Sequence, residues 1–377
     1  MDFNKRLGVL DNMQISTKVE DCKAFGMKDS TLVEKSKVVK FYGLDHLVNR
    51  LYIHWDLLSK CNYDCSYCYA KRFYKSIDKW GYYSNFNTQK HIIKCISYSK
   101  LPVFLGLQGG EPTIDKNFYE IIDLINEQIL TRNEDNRLYI TSNISNDKLL
   151  KLKPNKKTFI LASFHPEFSD AKHFINVIKN LNFKTRVNLM LINDKRYWDT
   201  LHFVYNELSQ LKTQTSGSNP IGLNSKSQEN FWNFRLQIHP HFVYTDHSRG
   251  TLDSYSKEFY KEFEYMRNDS KEFIIEIRNS QISENNTKVL NSEICETFVL
   301  SDYEVFEKDL HHFYGFKCYN NNHEIDFEGN TKVLCKDTKV NLLDNPLYFR
   351  NIQTIEPMRC PHQNCNCDGL LKILKIK

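Results

Sequence analysis

Between residues 50 and 267 the chain alternates between two periodicities, and that alternation limits what it can fold into. Short runs such as Arg50-Leu51-Tyr52-Ile53-His54-Trp55-Asp56 and Pro102-Val103-Phe104-Leu105-Gly106-Leu107 are rich in aromatic and aliphatic residues, the composition of strands. Stretches follow in which apolar residues recur every three or four positions, as on one face of a helix. Strands are predicted at 50–56, 102–107, 138–141, 158–164, 186–192 and 234–243, and helices at 87–99, 118–129, 169–181, 197–211 and 256–267. Phe118, Ile121, Ile122, Ile125 and Ile129 mark one such stripe. Because parallel strands need a crossover between them, usually a helix, this pattern predicts βα units around a parallel sheet. Residues 1–49 read as a polar N-terminal extension, 50–300 as the α/β domain, 212–230 as a loop within it, and 301–377 as a separate C-terminal module.

Composition narrows the function. The 377 residues carry 51 basic and 46 acidic side chains, a balance that does not point to nucleic acid. No apolar run is long enough to cross a bilayer, and the first residues lack the apolar stretch of a secretory signal, so a reducing, cytoplasmic location is expected. That location gives the 11 cysteines their meaning, since clustered thiols in a reducing compartment suggest metal rather than disulfides. Cys22, Cys95 and Cys295 stand apart from the clusters, and Cys95 falls on an apolar helical face as a core residue would.

Cys61, Cys65 and Cys68 form a C-x3-C-x2-C run directly after the first strand. Four cysteines saturate an iron–sulfur cube, whereas three leave one iron open to another ligand. Zinc is the competing metal, although its structural sites are usually closed by four ligands. Gln108-Gly109-Gly110-Glu111-Pro112 ends the second strand. There, paired glycines let the backbone approach a ligand, and the acid can pair with an ammonium group.

Together these two motifs resemble the radical S-adenosylmethionine (radical SAM) superfamily, over about residues 50–270. The resemblance implies a partial (β/α)6 TIM-like barrel with ligands at the carboxyl ends of its strands. It implies that Cys61, Cys65 and Cys68 hold a 4Fe-4S cluster whose open iron is chelated by S-adenosyl-L-methionine (SAM). By the same resemblance Tyr67 lies against the adenine, and Gly109, Gly110 and Glu111 meet the methionyl amine. Ser142 and Asn143, ending the third strand, and Ser163, ending the fourth, match positions that contact the SAM carboxylate and ribose. Arg186 and Asn188 on the fifth strand are further candidates. From residue type alone, Ser142 and Asn143 also suit a turn or cap, and His165 before Pro166 suits a structural role.

In the C-terminal module, strands are predicted at 323–327 and 331–335 around a Glu328-Gly329-Asn330 turn. Cys318 and Cys335 flank this hairpin, and Cys360, Cys365 and Cys367 follow. The arrangement resembles the SPASM or twitch auxiliary modules of radical SAM enzymes, with five cysteines where a full SPASM module has seven. It implies a second 4Fe-4S cluster on Cys318, Cys335, Cys365 and Cys367, with Cys360 the spare thiol; zinc is the alternative. The activity implied is reductive cleavage of SAM to a 5′-deoxyadenosyl radical that takes a hydrogen atom from a substrate, supplied with electrons by a flavodoxin or ferredoxin. A ribosomally made peptide or protein is the expected substrate. A small molecule, nucleotide or RNA base is the alternative within the superfamily, and a non-enzymatic zinc protein the alternative outside it.

Overall fold

Six parallel strands form the centre of the molecule: β1 (Leu51–Leu58), β2 (Val103–Gly109), β3 (Arg137–Ser142), β4 (Thr158–Phe164), β5 (Lys184–Leu191) and β6 (Leu236–Phe242), hydrogen-bonded in that order. The computed structural model describes residues 50–216, 236–242, 255–268, 314–315, 317–318, 320–336, 338–361 and 375–376. The predicted N-terminal extension, most of the 212–230 loop, and Cys22, Cys295, Cys365 and Cys367 lie outside the described residues.

Helices connect most of the strands, as the alternation predicts. They are α1 (Tyr69–Ser76) and α2 (Phe86–Ser97) after β1, α3 (Phe118–Ile125) after β2, α4 (Ala171–Asn180) after β4 and α5 (Trp198–Ser216) after β5. After β6 come α6 (Lys257–Glu262) and α7 (Glu264–Asn268). The β3–β4 connection holds only a 3-10 turn, Lys148–Lys151. Local chemistry starts these helices: Asn85, Asp170 and Ser256 each accept a backbone N–H at the N-cap of α2, α4 and α6, worth about 1 kcal/mol apiece. Helix α5 runs to Ser216, past the predicted start of the loop at 212.

The two faces of the sheet differ. On one, Ile53, Trp55, Leu105, Leu107, Ile140, Ile160, Val187 and Leu189 are fully buried, each contributing about 1.5–3 kcal/mol. On the other, Tyr52, Phe104, Tyr139 and Phe159 pack as one cluster, and polar residues succeed them towards the carboxyl ends. Gly106 sits in the middle of β2 because the Tyr139 ring crosses it; an added Cβ would lie 1.9 Å from that ring. Tyr139 thereby reaches Nδ1 of His54 with its hydroxyl, at 2.5 Å.

The predicted hairpin is present as β8 (Asn322–Ile325) and β9 (Asn330–Val333), following the short strand β7 (Lys317–Cys318) and continued by β10 (Lys339–Asn341). The Asp326 carboxylate accepts from the backbone of Glu328 and Asn330, and Gly329 adopts φ +88° as the turn requires. Strand β8 pairs in parallel with β1, making a nine-stranded sheet in the order β10-β9-β8-β1-β2-β3-β4-β5-β6. Among the described residues this sheet is open, with β10 and β6 at its edges, and the α/β core is a partial (β/α)6 barrel. Helix α8 (Tyr348–Asn351) follows β10.

Contacts divide the chain into two compact units, one of residues 50–270 and 321–354, the other of 1–49, 271–320 and 355–377. In the second unit β7 lies between β11 (Met358–Arg359) and β12 (Lys375–Ile376), antiparallel to both.

Candidate functional site

The cysteine run occupies the connection from β1 to α1. Cys65 is buried, and Cys61 and Cys68 are partly so. Cys68 is the N-cap of α1, its sulfur accepting from the Lys71 amide at 3.3 Å, a position that favours thiolate. The Cys61 sulfur accepts from the Tyr63 amide at 3.4 Å and from Asn143 Nδ2 at 3.7 Å. Burial pushes the Cys61 thiol up to about 11 and Cys65 up to about 12, and raises Cys68 as well. The negative charges of neighbouring sulfurs add to the rise at Cys61 and Cys65.

Thiols that oppose one another's ionisation, each with donors or a helix terminus ready for the thiolate, suit a group that brings positive charge into their midst. A 4Fe-4S cluster is such a group, and the donor set fits it. Three cysteines on one loop can each take a different iron of a cube, whereas structural zinc sites are usually closed by four ligands.

The end of β2 braces this loop from beneath. The Gly110 amide donates to Leu58 O at 2.9 Å, and the Glu111 amide to Lys60 O at 3.0 Å. A Cβ on Gly110 would lie 1.8 Å from Lys60 O, and one on Gly109, at φ +116°, would lie 2.3 Å from Leu58 O. The paired glycines thus let the end of β2 lie close against the chain's own backbone at the base of the cysteine loop.

Glu111 is buried and its carboxylate is well supplied with donors. Oε1 accepts from the Thr113 amide at 3.0 Å, the Thr113 hydroxyl at 2.6 Å and the Ser142 hydroxyl at 2.9 Å, while Oε2 accepts from the Asn143 amide at 2.6 Å. Burial raises its pKa and these four donors oppose the rise. Glu111 thus ties the end of β2 to the end of β3. Asn143 completes the link, its side chain donating to Asn62 Oδ1 at 3.0 Å as well as reaching Cys61. The next residue, Ile144, holds φ 55°, a costly conformation for a β-branched side chain.

On the opposite flank the segment after β4 closes over the loop. Tyr67 stacks on His165, with ring centroids 5.9 Å apart, and its hydroxyl lies 3.0 Å from His165 Nδ1. Burial depresses His165 to about 4, so the imidazole is neutral at physiological pH. Glu167 grips the loop directly, accepting from the Ser66 amide at 2.7 Å and the Ser66 hydroxyl at 2.6 Å. Ser163 and Asn188 are register partners across β4 and β5, on the face that also carries Leu161 and Arg186.

The structure therefore brings Cys61, Cys65, Cys68, Tyr67, Gly109, Gly110, Glu111, Ser142 and Asn143 together. The second group of cysteines is spread differently. Cys335 follows β9 in the unit of the barrel, at φ 64°. In the other unit Cys318 ends β7 and Cys360 follows β11, both buried, with Met358 the register partner of Cys318. Cys95 is buried in α2, as its helical face predicts, with its sulfur 3.7 Å from Leu342 O.

Two site residues were not foreseen. Glu167 meets Ser66 from 101 residues away, and a lone acid in a turn gives no signal of that. Asp56 is the other, on the polar stretch of the inner face. It accepts from Tyr74 Oη at 2.5 Å and Gln108 Nε2 at 3.2 Å, and burial raises its carboxyl to about 6. An acid at an alternating position of an otherwise apolar strand was the available signal.

Comparison with known proteins supports the iron–sulfur assignment. Residues 50–165 match the family model described as "4Fe-4S single cluster domain". None of the curated proteins compared matches the chain. Similar solved structures include a histidine-tagged anSMEcpe with bound AdoMet (14% identity, 81% of this chain and 80% of that one, TM-score 0.46). Streptococcus suis SuiB bound to S-adenosylmethionine has 14% identity over 82% of this chain and 70% of its own, with a TM-score of 0.42. A spore photoproduct lyase mutant with bound AdoMet and dinucleoside spore photoproduct has 12% identity over 72% and 74%, with a TM-score of 0.34. All three TM-scores fall below 0.5, so these likenesses bear on neither reaction nor substrate. The three-cysteine loop and its glycine brace thus lie within the segment, residues 50–165, that is similar to the 4Fe-4S single cluster domain, in keeping with the radical SAM resemblance its motifs carry.

Proposed function

We propose that this chain is a radical SAM enzyme that reductively cleaves SAM and takes a hydrogen atom from a ribosomally made peptide or protein. The observation that carries the reading is a three-thiol loop at the carboxyl end of β1, braced by Gly109, Gly110 and Glu111 at the carboxyl end of β2. When bound, a reduced 4Fe-4S cluster with SAM on its open iron supplies a 5′-deoxyadenosyl radical. The residues of this chain bind and orient. Cys61, Cys65 and Cys68 hold the cluster, and donors from Asn143 and the Tyr63 amide at the Cys61 sulfur tune it. Glu111, Ser142 and Asn143 act chiefly by locking the cysteine loop to the ends of β2 and β3. Tyr67, held by His165, presents its ring to the adenine, and Ser163 and Asn188 offer polar contacts on the inner face. A second 4Fe-4S cluster, on cysteines drawn from Cys318, Cys335, Cys360, Cys365 and Cys367, serves the peptide chemistry. The setting is a reducing cytoplasm. Among the described residues no helix is long and apolar enough to cross a membrane.

The test is anaerobic purification, then SAM and dithionite, then measurement of 5′-deoxyadenosine. Product that disappears in Cys65→Ala supports the mechanism; iron-loaded protein that gives none, with or without candidate peptides, overturns it. Hydrogen abstraction from a small molecule or RNA base, and from no peptide, would replace the substrate assignment alone.

A further inference from the structure

The connection after β4 clasps the middle of the cysteine loop, and it does so with a charge. Residues 165–169 form a tight turn: the Phe168 and Ser169 amides donate to His165 O at 3.0 and 2.8 Å, and the His165 amide donates to Ser169 Oγ at 3.0 Å. Aromatic contacts seat this turn on the loop. Phe168 stacks on Tyr63 at 5.6 Å, while His165 stacks on Tyr67 and meets Tyr63 edge-on at 6.2 Å. Between these anchors both carboxylate oxygens of Glu167 accept from Ser66. Oε2 lies 2.7 Å from the nitrogen of the Cys65–Ser66 peptide bond, so a fixed negative charge sits beside a cysteine of the loop.

The bonds to Ser66 do not by themselves call for that charge. A neutral amide side chain could accept from the same backbone N–H and bond the same hydroxyl, whereas a carboxylate among thiolates is opposed by like charge. The other charges around the loop are accounted for. Lys71 pairs with Asp64, and Arg196 with Asp194. Glu111, the other acid at the loop, is taken up by four donors at the ends of β2 and β3. Arg72 donates to Ser66 O at 3.2 Å and offsets part of the Glu167 charge.

We propose that Glu167, besides positioning the loop, lowers the reduction potential of the cluster held by Cys61, Cys65 and Cys68. The inference rests on the reading that these three thiols hold a 4Fe-4S cluster. Reduction adds one electron from an external reductant and breaks no bond, so the cluster gains one negative charge. Net charge and hydrogen bonds to the sulfurs are the protein's means of setting that equilibrium. The Tyr63 amide and Asn143, donating to the Cys61 sulfur, favour the reduced form. Glu167 opposes them, and the cluster then resists weak one-electron reductants.

The experiment is a redox titration of the full-length, anaerobically purified, iron-loaded protein, without SAM, with dithionite and mediators and the reduced cluster followed by its paramagnetic resonance. Wild type is compared with Glu167→Gln, which keeps an acceptor and removes the charge, and with Glu167→Asp, which keeps the charge. At a fixed solution potential the ratio of reduced to oxidised cluster rises about ten-fold in Glu167→Gln, equivalent to about 59 mV for a one-electron couple. Glu167→Asp stays close to wild type, and iron content is the same in all three. Because Glu167 is partly exposed, the Glu167→Gln difference shrinks as salt is raised. An unmoved potential in Glu167→Gln overturns the inference. So does an equal shift in Glu167→Asp, or loss of iron from Glu167→Gln, since either makes the clasp a matter of shape alone. A wild type with no 4Fe-4S signal overturns the radical SAM reading itself, and this inference with it.

Discussion

The two groups of cysteines are held by different means. Cys61, Cys65 and Cys68 lie within eight residues on one connection, so bringing them together costs little chain entropy. Cys318, Cys335 and Cys360 are separated by 17 and 25 positions and are distributed over two compact units. The first group needs only a loop of the right shape, and the sheet provides it through Gly110 and Glu111 below and Glu167 to one side. The second is not gathered on any one connection, so no local stretch of sequence defines it.

The sharpest way to break this contrast is a pair of glycine substitutions. Gly110→Ala drives a Cβ into Lys60 O at 1.8 Å, backbone that cannot swing aside, so the cysteine loop must move. A cost of about 1–3 kcal/mol or more in stability is expected, together with a clear fall in iron bound by the first cluster. Gly315, near Cys318 in sequence, has open space around it at φ +78°, so Gly315→Ala costs about 1 kcal/mol from backbone strain and leaves that iron unchanged. Thermal melts and iron analysis on both variants check this; equal iron loss would mean the brace is not what positions the loop.

Glu111→Gln comes next. It retains one acceptor oxygen and places an amide where the carboxylate met the Ser142 and Asn143 side of the site, leaving at least one donor unpaired at about 1–3 kcal/mol. Iron content should fall less than in Gly110→Ala, because the backbone bonds to Leu58 and Lys60 survive. On the other side of the comparison, Cys318→Ala should remove about half of the bound iron, roughly four atoms, while 5′-deoxyadenosine is still formed. Loss of zinc instead of iron would reassign that group, and loss of neither would remove Cys318 from it.

The smallest effect concerns Asp56, on β1 between the cysteine loop and the β8–β9 hairpin. Its carboxyl is raised to about 6, so the folded state binds this proton more tightly than the unfolded chain does. That contribution to stability is present below the unfolded pKa near 4 and is lost as pH rises through 6. Neutral, buried His54, His165 and His323 act in the opposite direction over part of that range. The difference between wild type and Asp56→Asn isolates the carboxyl: wild type should gain about 1–2 kcal/mol relative to the variant between pH 7 and 4.5. A pH-independent difference would show that Asp56 is not perturbed.

Most strands and helices were legible because burying one face forces a repeat, of two residues in a strand and about 3.6 in a helix. Helix α1 was not. It buries only Tyr74, so no apolar stripe marks it, and its start depends on a cysteine cap that sequence reads as a metal ligand. Gly109 and Gly110 were legible as positions of close backbone approach, but their fit against the carbonyl oxygens of Leu58 and Lys60, about fifty residues earlier in the chain, was not. Ser142 and Asn143 were flagged at the right strand end, and the structure shows them engaged with Glu111 and the cysteine loop.

By itself the sequence determined the parallel α/β core, the three-cysteine loop after β1 and the hairpin turn at Gly329, since each depends on residues close together in the chain. Tertiary structure decided that β8 pairs with β1, that Glu167 clasps Ser66 and that Glu111 joins two strand ends. Those contacts join residues 31 to about 270 positions apart, and no local periodicity records such pairings, because they exist only once the sheet has set the distances between its strands.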